Sequence, residues 1–182
     1  MDCYTCRHNE QIDTLPPREL VAADEHWRTV HAFDSALPGW LVLVPRRHVT
    51  AIADLTDAEA AALGTWQVRL SRALRAVTGC VKTYVVQFAE HEGFAHVHFH
   101  LVPRMPDLPD DRRGPRVFGY LGAPEDQRVT EQRQDELATA LRAELAHADT
   151  STGPLSGRMR PANQPGASVG DEGLRGPVSA AG

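Results

Sequence analysis

The stretch HVHFHLVPR, residues 96–104, places a histidine at every second position with an apolar residue after each one. Side chains alternate between the two faces of a β-strand, so a strand over 96–102 would carry His96, His98 and His100 on one face. The apolar residues between them would enter the core from the other face. This pattern predicts a half-buried strand with three imidazoles on its polar side.

The segments before this stretch predict a pair of strands and a long helix. Apolar runs at 26–33 and 40–45 are separated by a turn containing Pro-Gly and would pair antiparallel. Thr56 and Glu59, three positions apart, form a capping box, and apolar residues then recur at helical spacing. These features predict one amphipathic helix over about 56–78.

The rest of the chain completes the predicted sheet and adds a second helix. Residues 81–88 predict a strand that pairs antiparallel with 96–102. Residues 103–128 are rich in Pro and Gly without a periodic pattern, and connections of this length are commonly functional or mobile. A terminal helix is marked by Leu137, Leu141 and Leu145. The predicted fold class is α+β, an antiparallel sheet with one long helix and a C-terminal helix packed on it.

The composition limits domain number, partners and location. A chain of 182 residues with 42% hydrophobic content supports one domain, which we expect over 1–148. Residues 149–182 contain almost no large apolar side chains, which predicts a disordered tail. The net charge of -5 argues against binding to nucleic-acid polymers or anionic membranes. With no signal peptide and no apolar run of about 18 residues, we expect a soluble, cytoplasmic protein.

The N-terminus carries a C-x-x-C pair, Cys3 and Cys6. Redox motifs and zinc sites both use this spacing, but a thioredoxin-like motif normally follows a β-strand, and none precedes these cysteines. Zinc is therefore the favoured interpretation. Two thiolates need two further ligands for a closed tetrahedron, and the available histidines include His48 and His96.

Two kinds of chemistry fit three histidines in register. One is a catalytic zinc site with three imidazole ligands, and the other is a nucleophilic imidazole held in one tautomer by its neighbours. Three same-face side chains span about 13 Å of strand, counting four residues of about 3.3 Å, which is far for a single ion. A solvated strand face that happens to carry histidine is the structural alternative.

Three motifs in order resemble the histidine triad (HIT) family, over about residues 3–104. Residues 96–102 fit its H-φ-H-φ-H-φ-φ motif, where φ is apolar, and PGWLVLVPRRHV (38–49) is similar to its G-H-x-L-V-I-P-K-x-H segment. The N-terminal C-x-x-C resembles that of the zinc-binding bacterial members. The resemblance implies a HIT-like fold with a structural zinc ion.

The resemblance also implies a role for each site residue. His98 would be the nucleophile that attacks an α-phosphorus, and His100 would orient the reacting groups and contact the phosphate. The structural zinc ligands would be Cys3, Cys6, His48 and His96. The substrate-binding candidates are Gln87 for the phosphate, Asp34 for the ribose hydroxyls and Arg104 as a further phosphate donor.

Two positions depart from the family pattern. Trp40 stands where the family usually has a histidine, so that a supporting imidazole is replaced by an aromatic wall. The segment 91–95 lacks the hydroxyl that family members carry just before the first triad histidine. Assistance to the leaving group is therefore expected to differ in this chain.

The resemblance implies an enzyme, a nucleotide hydrolase or nucleotidyltransferase of the dinucleoside polyphosphate or nucleoside phosphoramidate class. The reaction would cleave a phosphoanhydride or phosphoramidate bond at the nucleotide α-phosphate through a covalent nucleotidyl-histidine. The alternative is a low-turnover nucleotide-binding or interaction module that retains the HIT scaffold and the zinc. HIT domains pair through a helix and an edge strand, so we expect a homodimer.

Overall fold

The computed structural model describes residues 3–90 and 93–151, so the tail predicted for 149–182 lies almost wholly outside the described part. It contains three α-helices, α1 (Tyr4–Glu10), α2 (Asp57–Thr78) and α3 (Glu131–Ser151). The five strands are β1 (Ala22–Ala23), β2 (Trp27–His31), β3 (Leu41–Pro45), β4 (Lys82–Val86) and β5 (Phe99–Arg104). The predicted α+β class is confirmed.

All strand pairs are antiparallel, and the order across the sheet is β1-β2-β3-β5-β4. The two strand pairs expected from the sequence are joined by pairing of β3 with β5, where Val42 lies opposite His100. On β4, Val86 lies opposite the same histidine. His100 therefore sits on a central strand, held from both sides.

The predicted strand over 96–102 is wrong at its start, because regular pairing begins only at Phe99. Pairing with β3 ends at Leu43 opposite Phe99. Before that point the N–H of Val97 donates to the carbonyl of Val49 at 2.7 Å, outside the sheet ladder. The first two histidines therefore lie in an irregular segment that leaves the sheet.

The larger core lies between one face of the sheet and the helices α2 and α3. It includes Leu41, Leu43, Leu101, Leu70 and Leu141, all fully buried. The apolar residues between the triad histidines are also buried, as the alternation predicts. The sheet thus anchors the triad through its apolar face.

The other face of the sheet is covered by residues from the connection after β5. This segment forms three short 3₁₀ helices, Asp110–Arg112, Gly114–Tyr120 and Glu125–Gln127. A second apolar cluster joins Val117 and Leu108 of this segment to Trp40 and Val102 of the sheet. The connection is thus packed against the sheet beside the triad.

None of the helices in the described residues is both long and apolar enough to span a bilayer.

Candidate active site and metal centre

The four predicted metal ligands meet at one place. The ligand atoms of Cys3, Cys6, His48 and His96 all lie within 4.8 Å of one another. Sγ of Cys6 lies 3.3 Å from Nδ1 of His48, and the two sulfurs lie 3.6 and 3.7 Å from Nδ1 of His96. A tetrahedral Zn²⁺ with the usual bond lengths separates S and N ligands by about 3.5 Å. The donor set and its spacing fit zinc.

The ring of His96 is oriented as a ligand. Its Nε2–H donates to the carbonyl of Pro45 at 2.9 Å, which leaves the lone pair of Nδ1 facing the two sulfurs. Burial lowers the pKa of His96 to about 4, so that the ring is neutral near pH 7. Such a hydrogen bond from the distal nitrogen is how proteins fix the tautomer of a metal-bound imidazole.

The thiols also favour a cation. Burial, followed by the neighbouring Cys3, raises the pKa of the Cys6 thiol to about 11. The sulfur of Cys6 is therefore poorly stabilised as a thiolate by the protein alone. A divalent cation reverses this balance, because a coordinating thiol loses its proton to the metal.

Helix α1 is tied to the sheet by hydrogen bonds as well as by the cysteines. The amide of Asn9 donates to the carbonyls of Pro45 and Arg46 at 3.2 and 2.9 Å. Its oxygen accepts from Nε of the buried Arg28 at 2.7 Å. These contacts seat the N-terminal segment on the triad face of the sheet, where it forms one wall of a cavity.

That cavity contains the second and third triad histidines. His98 and His100 both line it, and their ring centroids are 4.9 Å apart. Its other walls come from α1, β2 with the turn that follows it, β3, the loop before the triad, Glu19 and Leu121. The metal cluster and the cavity are thus separate, with His96 in the first and its two successors in the second.

His98 is held in one tautomer. Its Nδ1–H donates to the carbonyl of His96 at 2.8 Å. The only other ring nitrogen, Nε2, therefore keeps an unshared lone pair. An imidazole of this kind, beside a cavity, is suited to nucleophilic attack.

His100 is held in the opposite tautomer from His98. The indole N–H of Trp40 donates to its Nδ1 at 3.1 Å, so that its proton resides on Nε2. Burial, with a smaller contribution from His98, lowers its pKa to about 4. His100 is therefore a neutral hydrogen-bond donor at the cavity.

An aromatic cluster forms the apolar end of the cavity. The rings of Tyr4, Phe33 and Phe94 have centroids 5.6 to 6.2 Å apart, and those of Phe33 and Phe94 are nearly parallel, at 27°. All three side chains line the cavity. The sequence interpretation missed this cluster because its members come from three distant segments, each carrying only one of the rings.

The predicted substrate-binding residues are placed differently from one another. Asp34 lines the cavity, and one of its carboxylate oxygens accepts the N–H of Gly122 at 3.1 Å. Gln87 directly follows Val86, which lies opposite His100. Neither Gln87 nor Arg104 is among the described residues that line the cavity.

Arg104 in particular is remote from the triad. It lies four residues beyond His100 on β5, about 13 Å along the strand, opposite Lys82. The expectation that Arg104 contacts the phosphate finds no support in this arrangement.

Comparisons with known proteins agree with this fold. The structure is similar to a Zn-bound histidine triad family protein from Mycobacterium smegmatis, with a TM-score of 0.61, 20% identity, and 83% and 98% of the two chains covered. It is also similar to a hypothetical histidine triad nucleotide-binding protein from Sulfolobus tokodaii strain 7, with a TM-score of 0.64, 14% identity, and 84% and 98% covered. A histidine triad protein from Bradyrhizobium japonicum gives a TM-score of 0.58 at 25% identity, with 75% and 93% covered. No match was found among curated protein sequences.

The model of the HIT domain family matches residues 14–107. This range includes the triad and His48, whereas the two cysteines lie before it. More than half of the chain is covered, and the chain belongs to the HIT domain family.

Proposed function

We propose that the protein is a nucleotide hydrolase or nucleotidyltransferase that cleaves a substrate at the nucleotide α-phosphate through a covalent His98 intermediate. The observation that carries this proposal is the hydrogen bond from Nδ1–H of His98 to the carbonyl of His96. It leaves Nε2 as a nucleophile beside a cavity with a neighbouring neutral donor, His100. Membership of the HIT family supports nucleotides as the ligand class.

The reaction proceeds in two displacements. The Nε2 lone pair of His98 attacks the α-phosphorus, and the bond to the leaving group breaks with its electron pair going to that group. Water or another acceptor then attacks the phosphorus and loses a proton to solvent, while the P–N bond breaks and returns its electron pair to Nε2 of the neutral imidazole. His100 donates its Nε2–H to a phosphate oxygen and stabilises the charge that develops there.

The rest of the cavity binds the nucleoside. The aromatic cluster of Tyr4, Phe33 and Phe94 offers ring faces and apolar surface to a planar base. The carboxylate oxygen of Asp34 that does not bond Gly122 accepts from ribose hydroxyls. Gln87, next to the residue paired with His100, is the candidate amide donor to the phosphate.

Zinc has a structural role in this proposal. When bound by Cys3, Cys6, His48 and His96, it supplies positive charge that stabilises the two thiolates. The ligands come from the N-cap and first turn of α1, the segment after β3 and the segment before β5, so the site closes the N-terminal wall of the cavity. None of these four residues takes part in the phosphoryl transfer.

The proposed assembly is a homodimer in the cytoplasm. Strand β4 lies at an edge of the sheet, and its neighbourhood exposes Val81, Val85 and Phe88. An unpaired edge with apolar side chains is suited to pairing with a second copy. Cys3, Cys6 and Cys80 form no disulfide with one another, as expected in a reducing compartment.

The test is intact-mass spectrometry of the zinc-loaded protein after brief exposure to diadenosine tetraphosphate. We expect the mass to rise by one nucleotidyl group, and His98→Ala to abolish the adduct and lower turnover by about 10³-fold or more. The control is His26→Ala, which removes a histidine outside the cavity lining and should retain both. Nucleotide binding without adduct or turnover would contradict the proposal and favour the binding-module alternative.

A further inference from the structure

The residue that replaces the usual family histidine, Trp40, makes a specific contact with the triad. Its side chain is fully buried, and its indole N–H donates to Nδ1 of His100, which is itself only 9% exposed. A buried indole N–H normally requires an acceptor, and His100 is the one it has. The hydrogen bond thus couples the tautomer of His100 to the presence of Trp40.

A second aromatic residue packs against this pair. The ring of Phe118 packs edge-on against His100 at 5.1 Å and against Trp40 at 5.3 Å between centroids. Phe118 comes from the 3₁₀ segment Gly114–Tyr120, beyond the region matched by the family model. Its side chain has no hydrogen-bonding group, so Trp40 remains the polar partner of Nδ1.

This arrangement disfavours the charged form of His100. An imidazolium carries a hydrogen on each nitrogen, and its Nδ1–H would face the indole N–H, donor against donor. Both groups are buried, so the pair cannot exchange this clash for hydrogen bonds to water without repacking. The low pKa that burial gives His100 acts in the same direction.

Besides the histidines, the side-chain hydrogen donors among the described residues of the cavity lining are Tyr4, Thr5 and Arg28. The hydroxyl of Tyr4 donates to Glu19, and burial with the Glu19 charge raises the pKa of Tyr4 to about 12. The described residues just before the triad, Gly93, Phe94 and Ala95, carry no hydroxyl. Among the described residues, neither Tyr4 nor the segment 93–95 therefore offers the departing group a general acid near pH 7.

We infer that Trp40 is a positioning residue that keeps His100 as a neutral Nε2–H donor, and that the site therefore selects nucleoside polyphosphates cleaved at the phosphoanhydride over nucleoside phosphoramidates. This inference rests on the proposed function and specifies its substrate class. It assigns a role to a side chain that departs from the family pattern.

The chemical reason lies in the leaving group. When Nε2 of His98 attacks an anhydride, the P–O bond breaks and the electron pair stays on a phosphate oxygen, which is stable as an anion near pH 7. When it attacks a phosphoramidate, the P–N bond breaks, and the nitrogen must gain a proton to leave as an amine. A neutral imidazole does not release its remaining proton near pH 7, so His100 cannot supply it.

The first test needs no substitution in the protein that is measured. Nitrogen-15 NMR of the zinc-loaded wild-type protein, with His100 assigned by comparison with His100→Gln, reports the tautomer directly. We expect an unprotonated Nδ1 and a protonated Nε2 at pH 7. A protonated Nδ1 would overturn the inference, whatever the catalytic activity.

The second test compares rates of adduct formation from diadenosine tetraphosphate and adenosine 5′-phosphoramidate. We expect the wild-type protein to react about 100-fold faster with the anhydride, because general-acid assistance contributes a factor of this order. Trp40→Phe, which removes the N–H and keeps an aromatic ring, should reduce this ratio by about tenfold. The matched control Phe118→Leu alters the packing of the same ring and should leave the ratio unchanged.

The outcomes separate this inference from the proposed function. Similar wild-type rates on both substrates would overturn the substrate assignment and leave the covalent mechanism standing. Absence of an adduct from both would overturn the proposed function itself, and the substrate assignment with it. If Trp40→Phe does not fold, the wild-type tautomer and the wild-type ratio still decide the question.

Discussion

His31, on β2, is buried and uses both of its ring nitrogens. Its Nδ1–H donates to the carbonyl of Ala32 at 3.0 Å, and its Nε2 accepts the N–H of Gly39 at 3.1 Å. Burial lowers its pKa from 6.5 to about 4. Neutral His31 thus holds the turn between β2 and β3 through these two hydrogen bonds.

We predict that His31 makes the protein less stable in mild acid. Its pKa is lower in the folded than in the unfolded chain, so its stabilisation is fully present above pH 6.5 and is lost as the pH falls towards 4. The loss is at most about 3 kcal/mol. It is measured by denaturant unfolding at pH 7 and pH 4.5.

The matched variant is His31→Gln, whose amide can donate to Ala32 and accept from Gly39 without titrating. We expect a smaller decrease in unfolding free energy between the two pH values than in the wild-type protein. Equal decreases in both proteins would contradict the prediction.

The residue scale also shows what a sequence pattern leaves open. Of the three triad histidines only His98 and His100 line the cavity, whereas alternation predicted one shared strand face for all three. It could not predict that the carbonyl of His96 and the indole of Trp40 fix opposite tautomers. Those partners depend on side-chain packing, which has no sequence period.

At the scale of elements, helix α2 begins as the sequence predicted. Thr56 accepts from the N–H of Glu59, and the Glu59 carboxylate accepts from the N–H of Thr56 at 2.7 Å. The same carboxylate pairs with Arg47 at 2.8 Å. The hydrogen bond from Arg47, followed by those from Thr56, lowers the pKa of Glu59 to about 2.

We predict that Glu59→Gln destabilises the protein by about 1 kcal/mol at pH 7, because the amide keeps the cap but loses the ion pair. The folded pKa of Glu59 is depressed, so its stabilisation is present above about pH 4.5 and is lost as the pH falls towards 2. The difference in unfolding free energy between wild type and variant, measured with urea, should therefore become smaller as the pH falls through this range.

Glu136→Gln is the control for this prediction. Its partner is Arg133 on α3, and both side chains are about half exposed, so solvent screens the pair. We expect a smaller effect at pH 7 from this substitution. If the difference in unfolding free energy between the wild type and Glu59→Gln did not change with pH, the stabilising role assigned to the Glu59 carboxylate would be contradicted.

Elements with a complete local pattern were predicted well, and those shaped by distant contacts were not. The long helix has its cap and its period in one segment, and its bounds agree with the prediction to within a residue. The strand predicted from residue 96 begins instead at Phe99. The residues before Phe99 lie outside the sheet, because His96 belongs to the Cys/His cluster and the N–H of Val97 donates to the carbonyl of Val49.

At the scale of the whole molecule, the candidate metal site and the cavity both include residues at the start of α1. Cys3 and Cys6 flank Tyr4 and Thr5, which line the cavity. We predict that Cys6→Ser or chelation removes one zinc ion per chain and lowers the unfolding free energy by about 3 kcal/mol. Nucleotide affinity should fall by about tenfold because contacts with the cavity wall are lost. This factor corresponds to about 1.4 kcal/mol of binding free energy.

Zinc content, calorimetric unfolding and nucleotide titration measure these effects. Cys80→Ser is the control, because Cys80 is buried away from the cluster and should retain the zinc ion even if the protein is destabilised. A Cys6→Ser protein with full zinc content would contradict the assignment.

The proposed dimer gives a further prediction at this scale. Val85→Lys places a charge on the edge strand β4, and charged edges resist pairing with another chain. We expect sedimentation to show monomers at concentrations where the wild type is dimeric. Ile52→Lys, at a similarly exposed apolar position outside β4, should remain dimeric. Equal association of all three proteins would contradict dimerisation through β4.

The sequence by itself determined the α+β class, the long helix and the set of possible zinc ligands. These follow from local periods and from the chemistry of cysteine and histidine, which a chain carries wherever it folds. The tertiary structure decided which nitrogen of each histidine is free, which aromatic rings meet in the cavity, and that Arg104 lies far from it. Those outcomes depend on contacts between distant segments, such as the 60 positions between Trp40 and His100, and no local pattern encodes them.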